Sequence, residues 1–307
     1  MSVASPLSSE PVPVLEVGGT HVTTAWASES GEVEVVDRID LDSSGSAPQL
    51  VSVLVEAGRG LLAPDGAAWG AAVPGPFDYD AGIGDYTGVE KFQSLRGVDL
   101  GDALRRGLGA AQVHFINDAD AFGVGEWMTG ALVGMGRGVA MTLGTGIGSA
   151  FIADGLPVVT GDEVPHLGEV HTITLDGVPL EQIVSRAAIR RSYRDLTGEW
   201  LDVKQIAERA YAVEPAALEV FDEAFAALAQ AMIPVLHRFR AEALVIGGSI
   251  AQSRELVSQY LTGRLLQAGP GGSALPVAIA PDPMRSALVG VAHWVNARQA
   301  GRGGYSA

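Results

Sequence analysis

The sequence predicts an α/β protein of two domains. Three observations carry this. Strand-like and helix-like segments are mixed along the chain, as in layered α/β folds. The chain has 307 residues, more than one core usually supports. A strand followed by a glycine-rich turn recurs three times, at Gly18–Gly19, Gly144–Gly148 and Gly247–Gly248.

The elements follow in order. "PVLEVGGTHVTTAWAS" is β-rich around a Gly-Gly break and predicts two strands joined by a tight turn, with "GEVEVVDRIDL" as a third. Leu50, Val53, Leu54 and Leu61 have helical spacing. "GAAWGAAVPGPFD" is a buried strand stopped by Pro-Gly-Pro, and "LGDALRRGLG" is a short helix closed by glycine. "AQVHFINDADAFGVGEWMTG" is a strand running into a helix, with Asn117 and Asp118 at the junction. "GVAMTLGTG" and "IGSAFIADG" are paired strands. A helical stretch from Glu181 to His237 is broken near Gly198 and Pro215. "EALVIGGSIAQS" is a strand, a Gly-Gly turn and a helix start; "PVAIAPD" is a last edge strand and "RSALVGVAHWVNAR" a closing helix. The predicted organisation is a disordered lead-in over 1–13, an N-terminal domain over 14–116 completed by the closing helix 285–298, a C-terminal domain over 117–284, and a flexible tail over 299–307.

Composition narrows the function. Cysteine is absent, which removes disulfide scaffolds, thiolate zinc sites and cysteine nucleophiles. No apolar stretch reaches the ~20 residues that span a bilayer, and the N-terminus lacks the basic and apolar regions of a secretory signal. A cytoplasmic protein without membrane partners is expected. The net charge of −16 argues against a nucleic-acid footprint. The densest basic cluster, Arg186, Arg190, Arg191 and Arg194, reads as a solvated helix face. Trp69, Trp127, Trp200 and Trp294 suit packing better than a sugar platform.

Backbone N–H groups in strand–glycine turns form concave nests for anions. One such turn is commonly a plain hairpin; three in one chain, with Asn-Asp between the first two, point to phosphate. At the junction, Asn and Asp are also good helix caps.

These residues resemble the ROK family of sugar kinases, in the actin-like ATPase superfamily. "LEVGGTH" is similar to its first phosphate loop, "VPGPFD" to the Pro-Gly turn beside the sugar, "INDADAFGVGEW" to the motif carrying the catalytic base, "LGTGIGSAFIADG" to the second phosphate loop and "LVIGGSI" to the adenosine-side loop. The matches run from about Val14 to Arg298 in the family's order. The resemblance implies a two-domain actin-like (ribonuclease H-like) fold with an interdomain cleft. It implies that Asp118 is the general base and that Gly75, Asn117, Asp118, Glu169, His171 and Glu181 meet the sugar. It places ATP phosphates at Gly18, Gly19 and Thr20 and at Gly144, Thr145 and Gly146, and adenosine at Gly247, Gly248 and Ser249. Glu16 would hold Mg²⁺ through water.

Several residues depart from the family pattern. The family's zinc-binding cysteines are missing, so no zinc site of that type is expected; zinc-free polyphosphate/ATP glucokinases are the nearer resemblance. Glu163 and His166 are the rival to Glu169 and His171 as the sugar-contacting pair. Glu16 replaces the usual Asp, and His21 the usual Lys. "TGVEKFQSLRGVDL" departs in the sugar-facing region, which keeps a C7-cyclitol acceptor open beside a hexose. His114, His237 and His293 read as ordinary structural residues.

The expected activity is ATP-dependent phosphorylation of a primary hydroxyl of a sugar or sugar-like cyclitol, by a homodimer. An inactive sugar-binding relative is one alternative. A sugar-sensing repressor is another, disfavoured because only 13 residues precede Val14.

Overall fold

The structure is a computed structural model that describes residues 10–265 and 268–305. The strands are β1 (Val12–Val17), β2 (His21–Ala27), β3 (Val33–Asp40), β4 (Ala68–Val73), β5 (Phe77–Asp78), β6 (Ile83–Gly84), β7 (Gln112–Asn117), β8 (Arg137–Leu143), β9 (Ile147–Ala153), β10 (Leu156–Pro157), β11 (Thr174–Leu175), β12 (Val178–Pro179), β13 (Ala243–Gly247) and β14 (Val277–Ile279). The α-helices are α1 (Ala47–Arg59), α2 (Leu100–Leu108), α3 (Asp118–Thr129), α4 (Glu181–Val184), α5 (Arg186–Thr197), α6 (Val203–Tyr211), α7 (Pro215–Phe239), α8 (Arg254–Tyr260) and α9 (Pro283–Gln299).

The described residues form two compact units, one reaching to Gly130 and resuming at Met284, the other spanning Ala131–Pro283. The first unit holds a five-stranded sheet of order β3-β2-β1-β4-β7. β1, β4 and β7 are parallel, and β2 and β3 continue β1 as an antiparallel meander. The second unit repeats the plan in the order β10-β9-β8-β13-β14, with β8, β13 and β14 parallel and β9 and β10 antiparallel.

Each helix forms for local reasons and is held by burial. Ser46 and Gln49 make a capping box ahead of α1, whose Leu50, Leu54 and Ala57 pack on Leu15, Trp69 and Leu104. Burying each such leucine contributes about 1.5–3 kcal/mol. In the second unit α7 buries Phe221, Phe225, Leu228, Met232 and Phe239 against the sheet residues Met141, Phe151 and Ile246.

Three expectations are corrected. The lead-in was expected through residue 13, but β1 begins at Val12; residues 1–9 lie outside the described part. The domain boundary was expected before Asn117, but α3 belongs to the first unit. The cause is α9: Gly125 of α3 would meet the Ser286 carbonyl if it carried a side chain, and Gly290 of α9 would meet that of Ala121. Only glycine allows the two backbones so close. The Ser286 hydroxyl then donates to Glu126 at 2.6 Å, and Trp294 Nε1–H donates to the Phe115 carbonyl at 2.7 Å. Finally, the predicted tail 299–307 is anchored as far as Tyr305, whose N–H donates to Asp80 at 2.9 Å.

Candidate active site

In the first unit the candidate residues collect at one end of the sheet, the carboxyl ends of its parallel strands, where α/β sheets bind ligands. β1 ends at the Gly18–Gly19–Thr20 turn, β4 at Pro74–Gly75, and β7 at Asn117–Asp118. Register pairs Glu16 with Ala72, and Val73 with Asn117, so the three ends are nearly level.

Asp118 is the first residue of α3. Its side chain reaches solvent, yet the surrounding protein raises its carboxyl pKa by desolvation. Hydrogen bonds from the Ala119 N–H and its own N–H, and the charge of Lys91, oppose that rise. A carboxylate whose pKa moves upward while it remains accessible is a better proton acceptor. Asn117 is the N-cap: its Oδ1 accepts from the N–H groups of Ala119 (2.9 Å) and Asp120 (3.3 Å), while its Nδ2 donates to the Tyr79 hydroxyl at 2.9 Å. Asn117 therefore holds the junction, and one of its two Nδ2 N–H groups has no acceptor among the described residues, so the expected contact with a sugar hydroxyl stays open to it.

Glu16 projects beside this group. Its Oε2 is buried without a hydrogen-bond partner, and His21 Nε2 lies 3.8 Å away. Desolvation, then the charge of Asp118, push its pKa up to about 7; a Thr23 hydrogen bond and Arg38 oppose this. It is a carboxylate short of a cation, and that fits Mg²⁺. Among the described residues no group of three or more His, Asp or Glu could hold a metal. Mg²⁺ takes few carboxylates and keeps phosphate oxygens and water.

Sequence reasoning missed Lys91. Its stem and ammonium lie over Gly19, where a Cβ would stand 2.7 Å from Nζ. His21 is not a substitute cation: burial and then Arg38, whose guanidinium donates to the ring, lower its pKa. The expectation that the loop lacks a cation is thus corrected by a residue 72 positions from Gly19. One signal existed, since Lys91 is one of only two lysines in the chain. Tyr79 and Tyr86 were also missed; they follow the Gly75–Pro76 turn, and burial raises both hydroxyl pKa values, with the Asp118 charge contributing.

In the second unit, the glycine turns after β8 and β13 are neighbours because those strands pair in parallel. Gly248, at φ +91°, lies so close to the Leu143 backbone that no side chain would fit. Gly18 and Gly144 were expected to donate to phosphate, but their N–H groups are used inside their own turns, on His21 O (2.8 Å) and Gly146 O (3.0 Å). Among the described residues, the N–H groups of Gly19, Thr20, Thr145, Gly146, Gly248 and Ser249 have no acceptor. They are the donors an anion would find.

Glu181 was expected on the sugar. Its carboxylate accepts the Ile147 N–H at 3.0 Å through Oε2 and lies over Gly146, so it also braces the second glycine loop. Glu169 and His171 approach each other at 3.9 Å, both about one-third exposed. In the rival pair, Glu163 makes an ion pair with Arg137 at 2.7 Å. The arginine cluster is engaged within its own unit: Arg186 with Asp202, Arg190 and Arg194 over the Trp200 ring, and Arg191 on the Gln182 carbonyl.

The family model described as ROK family matches residues 13–298. A glucokinase of Thermotoga maritima is 30% identical over 271 residues, which cover 79% of this chain and 83% of that protein. An N-acetyl-D-glucosamine kinase of Mannheimia succiniciproducens is 25% identical over 298 residues, 90% of this chain and 91% of that one. The crystal structure of a ROK family glucokinase from Streptomyces griseus, in complex with glucose and AMPPNP, shares the fold with a TM-score of 0.74 at 22% identity, covering 94% of this chain and 99% of that chain.

Proposed function

The chain belongs to the ROK family, and from that premise we propose that it transfers the γ-phosphoryl group of ATP to a primary hydroxyl of a sugar or sugar-like cyclitol, with Asp118 as general base. It is a carbohydrate kinase. The observation that carries the detailed reading is Asp118: an accessible carboxylate at a strand end, its pKa raised, with Asn117 before it and Asp120 two positions after it held by hydrogen bonds.

The acceptor oxygen attacks the γ-phosphorus, the bond from that phosphorus to the β,γ-bridging oxygen breaks, and ADP leaves. The acceptor's proton goes to the Asp118 carboxylate. Little covalent work falls to the protein, so positioning and charge dominate. Glu16 would hold Mg²⁺ through water, and the bound ion would neutralise charge on the phosphates. Lys91 places a second cation over the first glycine turn. The open N–H groups of the three turns orient phosphate oxygens. Glu169 and His171 supply an acceptor and a donor for paired sugar hydroxyls.

A coupled ADP-release screen over glucose, mannose, N-acetylglucosamine, N-acetylmannosamine, allose, fructose and C7-cyclitols tests the reading. Turnover is expected on at least one acceptor bearing a primary hydroxyl. Turnover confined to acceptors without one would overturn the proposal; binding of sugars without any ADP release would favour the inactive relative.

A further inference from the structure

Tyr305 lies in the segment that follows α9, which the sequence reads as tail. The chain leaves α9, turns at Gly301 and Gly303 (φ +71° and +74°) and comes back. Arg298 holds the return: one guanidinium nitrogen donates to the Gly303 carbonyl at 2.6 Å, and the other pairs with Asp80 at 3.2 Å. The Tyr305 ring then lies against Tyr79, tilted by 31° with centroids 4.4 Å apart, and meets Trp294 edge-on at 5.7 Å.

The hydroxyl of Tyr305 is placed with two partners. It accepts the backbone N–H of Asn117 at 2.9 Å and donates to Asp120 Oδ2 at 2.6 Å. Asn117 is the last residue of β7, and Asp120 is a buried residue in the first turn of α3. One hydroxyl thus bridges the strand end and the first turn of the helix, and Asp118 and Ala119 are the two residues between its partners. Tyr79 completes the arrangement from the side-chain end of Asn117. The packed pair Tyr79 and Tyr305 therefore grips Asn117 by both its amide and its backbone. Burial holds the Tyr305 hydroxyl well above its ordinary pKa, so the donor is present throughout the neutral range.

We propose that Tyr305 is a positioning residue for Asp118, and that the segment after α9 is a working part of the phosphoryl-acceptor site. The proposal rests on the reading of Asp118 as the general base. Proton transfer in the transition state is sensitive to placement, and an error near 1 Å can cost about a hundredfold in rate. Without the hydroxyl, the Asn117 N–H loses its acceptor and Asp120 loses a donor, so the strand–helix junction relaxes. The ring, with its packing against Tyr79, remains in Tyr305→Phe.

The test compares Tyr305→Phe, Arg298→Met and Asp118→Asn with the unchanged protein, on the acceptor identified by the screen. For Tyr305→Phe, kcat is expected to fall about ten- to a hundredfold, with the KM for ATP unchanged and the acid limb of the kcat pH profile displaced. Arg298→Met, which loosens the segment without touching Asn117 or Asp120, should give a smaller fall in kcat in the same direction. Rates are referred to folded protein, measured from the thermal unfolding of each variant. Full turnover in Tyr305→Phe beside an inactive Asp118→Asn overturns the positioning role and leaves the base intact. A fall in kcat accounted for by unfolded protein overturns it too. An active Asp118→Asn removes the base and the proposal with it.

Discussion

Glu16 and Asp118 stand at the carboxyl ends of β1 and β7, two strands apart in the same sheet, and the Asp118 charge helps hold Glu16 protonated to about pH 7. Neighbouring strands are ~4.8 Å apart, so the strands themselves are separated by about 10 Å. At that distance a like charge is felt only where water is partly excluded. The pair has a consequence for stability. The unfolded chain ionises Glu16 above its ordinary pKa of 4.5, whereas the folded chain keeps the proton until about 7. The cost to folding is absent below 4.5, grows between 4.5 and 7, and is complete above 7. Glu16→Gln should therefore be more stable than the unchanged protein at pH 8 by an amount on the order of 1–3 kcal/mol, and by little at pH 5. Urea unfolding at the two pH values measures it. Equal stabilities at pH 8 would show that Glu16 carries no such burden. On the proposed role of Glu16 toward Mg²⁺, the same variant should also lose activity.

Asp118→Asn keeps the shape of the junction and removes the proton acceptor. A general base contributes about 10²–10⁴-fold, so kcat should fall by that factor while acceptor binding, followed by calorimetry, persists. A variant that keeps a tenth of the original turnover would exclude Asp118 as the base.

Lys91 lies over Gly19 and its charge lowers the Asp118 pKa. Lys91→Met should cut kcat/KM for ATP by about ten- to a hundredfold. It should also move the acid limb of the pH profile to higher pH. The sign follows from the charge: without the cation, ionised Asp118 is less favoured, its pKa rises further, and activity is lost at a higher pH on the acid side. An unchanged profile with unchanged kcat/KM would make Lys91 a bystander.

Glu181 braces the second glycine loop through the Ile147 N–H. Glu181→Gln should raise the KM for ATP severalfold and leave the KM for the acceptor unchanged. The opposite split would return Glu181 to the sugar.

The donor should be ATP, with polyphosphate negligible. A polyphosphate chain needs a groove of unpaired cations. The chain has 20 Lys and Arg against 36 Asp and Glu. Of the three closely spaced basic segments, two are engaged: Arg105 and Arg106 with Asp102, and Arg186 with Asp202, with Arg190 and Arg194 over Trp200; the third, "LHRFRA", holds only Arg238 and Arg240. Initial rates with saturating ATP and saturating polyphosphate, measured side by side, decide the matter; a polyphosphate rate equal to the ATP rate would defeat the charge argument.

The sequence by itself determined the α/β class, the order of the main elements, the three glycine turns and the Asn117–Asp118 junction. Those are local properties. Period-two hydrophobicity, helical spacing of Leu50 and Leu54, and glycine after a strand are each written in a few adjacent residues. What depended on residues far apart in the chain was decided only by the tertiary structure. Lys91 reaches Gly19, Glu181 reaches Ile147, and Arg137 reaches Glu163. The assignment of α3 to the first unit needed Gly125 and Gly290 to meet, although 165 positions separate them. Tyr305 is the extreme case. Its surroundings, "ARQAGRGGYSA", are polar and glycine-rich, which locally reads as a frayed end. Only the return of the chain over Arg298 shows that its hydroxyl is 2.9 Å from the Asn117 nitrogen, 188 residues away. Local pattern specifies which element a residue joins; the partner of a side chain is set by how those elements pack, and no short window of sequence contains that information.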